Sequence, residues 1–240
     1  MPVDVLPDAE AVGAAAARHW LDCLARRPGL VVAVPAGRTP RPMYRHLRVE
    51  AAGRRLSFAA CHVFGVDELC LPGAREGYFW RQIREAFLDR AGIPPSHRHP
   101  FDPAATDLQA MCDGLEARIR ELGGLDLAIL GLGPNGHLAA NEPGSPLDSR
   151  ARPVRLDPAT LAHLATDPAA PGPVSDRAVT LGLGTLAEAR QVLVLVTGAG
   201  KREILRRALA GPVGPECPAS LLQRLPAARV LADRAAAGSD

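Results

Sequence analysis

The run QVLVLVTG, Gln191 to Gly198, carries no polar residue between Val192 and Val196. A strand with one face in water alternates apolar and polar side chains. An unbroken apolar run needs partners both above and below its sheet. LVVAV, Leu30 to Val34, reads the same way, as do the start of LDLAILGLG at Leu125 and the stretch AACHVFGV from Ala59 to Val66. Helical segments separate these runs. Residues 8–27 are rich in Ala and Leu and stop at RPG; RPMYRHLRVEAA follows PAGRTP; REGYFWRQIREAFLDRAG runs to Gly92; AATDLQAMCDGLEARIRELGG closes on paired glycines; and AGKREILRRALAG follows the Gln191 strand. AVTLGLGTLAEA reads as a strand, a turn and a short helix, and ARVLAD as a last short strand. Strands buried on both faces and alternating with helices predict an α/β protein. Its expected form is a three-layer α/β/α sandwich with a mainly parallel, Rossmann-like central sheet. IPPSHRHPFDP and the Pro/Gly-rich span from Asp167 to Pro173 read as loops, and the tail AAAGSD as frayed. Without a linker to divide it, the chain is expected to be a single domain over residues 1–240.

Composition narrows the function classes. Net charge is +2, from 28 basic and 26 acidic residues, which gives no polyelectrolyte signal for nucleic acid. No apolar stretch approaches the roughly 18 residues of a membrane span, and no secretory signal is visible, so no membrane partner is expected. The five cysteines are odd in number, scattered and without a CxxC, which suits reduced thiols in the cytoplasm.

Ligands of such sheets bind beyond the carboxyl ends of the strands, so polar groups directly after apolar runs are the candidates. In PAGRTP, Gly37 permits a tight turn and Thr39 can cap the next helix with Pro40 at its first position. That loop is either a phosphate site built on free N–H groups or a helix cap and nothing more. In GVDEL, Asp67 and Glu68 point to opposite sides of an extended chain: one can face a ligand as a base while the other holds the loop, or both form a solvated acidic turn. GLGPNGHLAANEPGS is the strongest signal. Asn135, Gly136 and His137 follow a strand at once, and a looped chain can return Glu142 to the imidazole and set its tautomer. The loop lacks GK[ST], so it is no Walker loop, and its glycines are poor dinucleotide evidence. Lys201, the only lysine, sits at a helix start, which the helix dipole disfavours unless an anion is there too. His97, His99 and Asp102 in the Pro-rich loop lack a further metal ligand nearby. Together these loops suggest a phosphorylated small molecule, a carboxylate that moves a carbon-bound proton and a His–Glu pair that moves an oxygen-bound one, with no cofactor and no metal.

The pieces VPAGRTPRPMYRHL, HVFGVDELCLPG, LDLAILGLGPNGHLAANEPGSPLDSR, AVTLGLGTLAEARQVLVLVTGAGKREILRRALAGPV and CPASLLQ, in order along nearly the whole chain, resemble the glucosamine-6-phosphate deaminase family, part of the wider group that also holds 6-phosphogluconolactonase. NEPGS after GH resembles the deaminase branch in particular. The resemblance implies that an aminosugar phosphate is opened, isomerised from aldose to ketose, and loses ammonia. It implies Asp67 as the base between C2 and C1, His137 as the ring-opening acid–base group oriented by Glu142, and Glu68 as a structural or proton-relay acid. Gly37, Thr39 and Lys201, with Gly136 from the catalytic loop, fall in the substrate- and phosphate-binding set. A lactone hydrolase, a deaminase or isomerase with altered sugar specificity, and a non-catalytic sugar-phosphate sensor are the alternatives. A homo-oligomer is among the options.

Three positions depart from the family pattern. Asn135 stands where many relatives have Asp, so it cannot act as a base. Arg38 stands where a small residue is usual, and Thr166 falls where the family often has an Arg. Arg38 is expected to replace that missing phosphate cation, unless the substrate itself differs. Some relatives are activated by an acetylated aminosugar phosphate; with Arg152 present but Val154 at the second cation position, weak or absent activation is expected.

Overall fold

The protein is described by a computed structural model covering residues 2–71, 73–167 and 175–239. In chain order its elements are β1 (Val3–Leu6), α1 (Ala9–Arg26), β2 (Val31–Val34), α2 (Arg41–Gly53), β3 (His62–Gly65), β4 (Asp67–Leu69), α3 (Tyr78–Ala86), β5 (Arg98–His99), α4 (Leu108–Glu121), β6 (Leu127–Gly131), β7 (Arg152–Arg155), α5 (Pro158–Leu164), β8 (Arg177–Thr180), α6 (Leu183–Ala187), β9 (Val192–Val196), α7 (Arg202–Ala210), β10 (Ala228–Asp233) and α8 (Arg234–Ala237). Seven strands form one sheet in the order β1-β10-β9-β6-β2-β3-β5, and every pairing in it is parallel.

The unbroken apolar runs are explained by the two cores they separate. Val32, Val34, Val63, Leu127, Ile129, Leu193 and Leu195 face one side, where α1 and α2 supply Val12, Trp20, Leu24, Met43 and Leu47. Val31, Ala33, Phe64, Ala128, Leu130, Val194 and Val196 face the other, against Cys112 and Ile119 of α4 and Ile204 and Leu205 of α7. The result is the three-layer α/β/α sandwich with a parallel central sheet. The chain is poor in aromatics, and most of them gather in the first core around Phe87, whose ring lies 5.2 Å from Trp20, 5.0 Å from Phe58 and 5.7 Å from Tyr44.

Several elements differ from the sequence reading. AVTLGLG does not join the main sheet: β8 pairs antiparallel with β4 on one side and β7 on the other, forming a second, three-stranded sheet. Alternation alone could not assign β8 to a sheet, because it is buried from Ala178 onward on both faces. The tail is not frayed up to Ala237. Asp233 caps α8 by accepting from the Ala236 N–H, and Ala236 is buried. HRHP is not all loop, since Arg98 and His99 add an edge strand to β3. Most of the Pro/Gly-rich span from Asp167 to Pro173 lies outside the described residues.

The second sheet is tied to the main domain layers through Glu68. Its carboxylate is 1% exposed and accepts from the N–H groups of Leu69 (2.9 Å), Phe79 (2.9 Å) and Trp80 (2.8 Å). These donors include the first turn of α3, where a negative charge is favoured by the helix dipole. Gly77 makes the approach feasible, because a Cβ there would lie 2.0 Å from Glu68 Oε2. Glu68→Ala leaves those N–H groups without their acceptor and is expected to destabilise the fold by about 3 kcal/mol or more. Thermal melting checks this against Glu203→Ala, which removes only an exposed ion pair with Arg206 and should barely move the midpoint. Equal midpoints for the two variants would show that Glu68 does not anchor α3.

Candidate active site

β2 and β6 are neighbours in the sheet, yet the chain leaves β2 toward β3 and leaves β6 toward β9. At such a reversal the loops leaving the carboxyl ends diverge and open a crevice. The crevice here is a cavity of about 510 Å³. Gly37, Arg38 and Thr39 reach it from the loop after β2, Asp67 from just past β3, Gly133 and His137 from the loop after β6, and Thr197 and Lys201 from the loop after β9. His163 and Leu164 close it from α5.

The loop after β6 explains why the greasiest strand is followed by Asn, His and Glu. Gly136 turns the chain at φ +94°, and Ala139 takes a left-handed φ of +51°. An isolated antiparallel bridge between Leu138 and Asn141 then folds the segment back on itself. Glu142 Oε2 returns to 3.2 Å from His137 Nδ1 and accepts from Asn135 Nδ2 at 2.7 Å. The Thr160 hydroxyl of α5 lies 3.3 Å from the same imidazole nitrogen. Burial opposes ionisation of Glu142, but the His137 imidazole and the Asn135 amide outweigh it and hold the carboxyl down to about 2. A carboxylate that stays charged fixes His137 with its proton on Nδ1 and Nε2 as the free nitrogen. Nε2 lies against Gly133, where a Cβ would come within 2.2 Å of it, so a side chain at Gly133 would expel the ring.

Asn141 is the loop's anchor. Fully buried, it donates to Leu138 O (3.0 Å) and Leu181 O (2.8 Å) and accepts from Arg152 Nη1 (2.8 Å). Arg152 also donates to Ser145 Oγ at 3.0 Å. The cation that the family resemblance offered to an effector is thus engaged in holding the NEPGS segment.

Asp67 and Glu68 divide as the extended backbone requires. Glu68 points inward to α3, and Asp67 points to the cavity. Burial first, and the neighbouring Glu68 second, raise the Asp67 carboxyl to about 7. Burial also raises Glu68 to about 7, against the pull of its backbone N–H donors. Lys201 Nζ donates to Leu132 O at 2.7 Å, so the helix-start lysine reaches back to the end of β6. Burial and then the Arg38 guanidinium lower it to about 8.

The structure redistributes several sequence-derived roles. Glu68, Asn135, Glu142 and Gly136 do not line the cavity. Glu142 and Asn135 stand behind His137, and Asn135 spends both ends of its amide inside the loop, its Oδ1 accepting from His137 N at 3.3 Å. Gly136 faces Cys217 and Ile204 rather than the cavity. Thr39 does not cap α2: Pro40 occupies the cap with no side-chain bond, and the Thr39 hydroxyl lies 3.5 Å from that of Thr197. The Gly198 N–H, just before Lys201, donates to the Asp233 carboxylate. Gly133, Thr160, His163 and Thr197 were missed. Thr160 and His163 lie on a short helix with too little periodicity to be found. His97 stacks on His62, and His99 bonds to it at 3.0 Å, so these histidines pack at the sheet edge. Among the described residues no cluster of His, Cys, Asp or Glu is arranged to hold a metal ion.

Comparison with known proteins shows what the chain as a whole is similar to. The family profile described as glucosamine-6-phosphate isomerases/6-phosphogluconolactonase matches residues 7–231. A glucosamine-6-phosphate deaminase of Pseudarthrobacter chlorophenolicus is 39% identical over 240 residues, covering 100% of this chain and 92% of the relative. One from Cutibacterium acnes is 39% identical over 238 residues, covering 99% and 91%. Among solved structures, a monomeric glucosamine-6-phosphate deaminase superposes with a TM-score of 0.92 at 30% identity, covering 100% of both chains. A 6-phosphogluconolactonase from Trypanosoma brucei gives a TM-score of 0.79 at 22% identity over 99% of this chain and 97% of its own, a likeness of fold alone. Matched from end to end by profile, sequence and structure, the chain belongs to the glucosamine-6-phosphate isomerase/6-phosphogluconolactonase family.

Proposed function

We propose that this protein converts glucosamine 6-phosphate and water to fructose 6-phosphate and ammonia. The observation that carries the reading is one cavity lined by a carboxylate raised to about 7, a carboxylate-paired imidazole and two cations, Arg38 and Lys201. Lys201, Arg38 and the Gly37–Thr39 turn take the phosphate. His137 Nε2 takes the O1–H proton and passes it to the ring oxygen, which opens the pyranose to the aldehyde. Asp67 then removes the proton on C2, the electron pair forms a C1–C2 double bond, and the C1 oxygen takes a proton from the substrate's C2 ammonium group, leaving a neutral enolamine. Asp67 returns its proton to C1, the nitrogen lone pair completes a C2 imine, and water displaces ammonia to leave the C2 ketone. C1 is reduced as C2 is oxidised, so the sum needs only water.

A base must be ionised to act, and a carboxyl near 7 combines basicity with substantial ionisation at neutral pH. Glu142 holds the imidazole, and Glu68 holds the backbone that presents Asp67. All these groups come from one chain, which acts as a single domain over residues 1–240. A monomer therefore suffices, as in the solved relative described as monomeric. The five cysteines are unpaired and buried, which supports a cytoplasmic setting. No described helix is long and apolar enough to cross a membrane. Arg152, engaged with Asn141 and Ser145, supports weak or absent activation by an acetylated aminosugar phosphate.

The decisive assay measures ammonia released from glucosamine 6-phosphate, with 6-phosphogluconolactone hydrolysis as the competing activity. Lactone hydrolysis without ammonia would replace this reading by the lactonase one. Asp67→Asn is expected to bind sugar phosphate normally and lose about 10²- to 10⁴-fold in kcat; near-normal turnover would take the base role from it. In the pH profile, kcat/KM should fall below about 7 as Asp67 protonates and fall again above about 8 as Lys201 loses its proton. A profile flat from pH 6 to 9 would contradict both assignments. Arg38→Ala should raise KM about tenfold by removing a charge-assisted bond, and an unchanged KM would show that Arg38 does not replace the absent family Arg.

A further inference from the structure

α5 lines the cavity with His163 and Leu164 and supports it from behind with Thr160. Thr160, 6% exposed, sits against His137, and three residues on, along the same helix face, His163 lines the opening. There the Nη2 of Arg38 lies 3.4 Å from His163 Nε2, so the loop after β2 and α5 meet across the mouth of the cavity. A guanidinium can only donate, so His163 accepts as a neutral imidazole with its proton on Nδ1. Both side chains are exposed, and an exposed contact of this kind adds little to stability. Its position suggests a ligand role. Arg38, Lys201 and His163 converge on one opening, and among the described residues lining the cavity the sole carboxylate is Asp67.

We propose that His163 is a phosphate ligand and a specificity-determining residue of this enzyme, one that clamps the anion from α5 opposite Arg38 and takes up a proton as it does so. The inference rests on the reading of the cavity as a sugar-phosphate site and assigns it a residue from α5. It also addresses the cation absent at Thr166, which lies three residues further along, with its hydroxyl on the His163 carbonyl. The groups facing His163 set its response. Burial lowers its proton affinity first; Lys201 from the turn before α7, Arg38 from the loop after β2 and His137 from the loop after β6 lower it further; Asp167, just past α5, opposes them. A phosphate dianion reverses the balance, because it neutralises both cations and accepts Nε2–H directly. Proton uptake on binding means that affinity weakens as pH rises from below His163's free value through its bound value. Uncharged aminosugars gain nothing from the clamp, so it selects for phosphate.

The test uses His163→Ala and His163→Gln in the full chain. The position is exposed, and melting curves matching wild type establish folding. Affinity for inorganic phosphate is measured by calorimetry at pH 6 and pH 8, alongside KM and kcat for glucosamine 6-phosphate. The expected result is an approximately tenfold weaker phosphate affinity for His163→Ala at pH 6, with the loss appearing in KM rather than kcat. His163→Gln keeps a donor but cannot titrate, so it should show a smaller loss of affinity between pH 6 and pH 8 than wild type does. Wild-type phosphate affinity in His163→Ala, or the same pH slope in His163→Gln as in wild type, would overturn the proposal. The two readings fail separately. Phosphate binding that depends on His163 in a protein that releases no ammonia sinks the reaction and keeps the clamp. Ammonia release with normal KM in both variants does the reverse.

Discussion

Everything at the site depends on the parallel pairing of β2 with β6, Val32 beside Leu127 and Ala33 beside Ala128. Parallel strands end at the same edge, and here the chain turns in opposite directions on the two sides of that pair. Four loops that are far apart in the sequence therefore meet over one crevice. The apolar cores on both faces make the sheet rigid, so these loops are positioned by hydrophobic packing that none of them supplies. Slip of a single residue in β6 would turn Leu127 and Ile129 out of one core and misplace Gly133 and His137 together.

On this scaffold the polar residues work in pairs, one touching the cavity and one holding its partner. Glu68 is saturated by backbone donors and raises the proton affinity of Asp67 beside it. Glu142 is stabilised as an anion by His137 and Asn135, and in turn decides which imidazole nitrogen is free. Asp67 and Glu142 acquire opposite characters because Glu142 is surrounded by fixed donors beside an imidazole, whereas Asp67 faces a poorly solvated cleft. The electrostatic asymmetry is a product of hydrogen-bond geometry rather than of residue type.

Much of this was legible beforehand. Asp67, His137, Lys201, Gly37, Arg38 and Thr39 could be placed because each directly follows a recognisable strand, and in a parallel sheet that position implies the ligand edge. The return of Glu142 to His137 was legible because five residues with glycine and alanine between them can loop. What escaped was whatever depended on distant chain. β8 looked like another strand of the main sheet, although its partners are β4 and β7. Asn135 looked like an active-site group, but its amide is consumed inside the loop. His163 and Thr160 gave no signal, since an isolated polar residue on a seven-residue helix has no pattern to mark it.

The sequence by itself determined the layered α/β architecture and the loops that carry chemistry, because period and strand-end position are local properties that a chain displays without folding. Tertiary structure alone decided which acid faces the cavity, which merely supports it, and that a histidine from α5 meets an arginine from the loop after β2. Those outcomes rest on desolvation and on contacts between residues as much as 125 positions apart, and neither exists until the two faces of the sheet are buried.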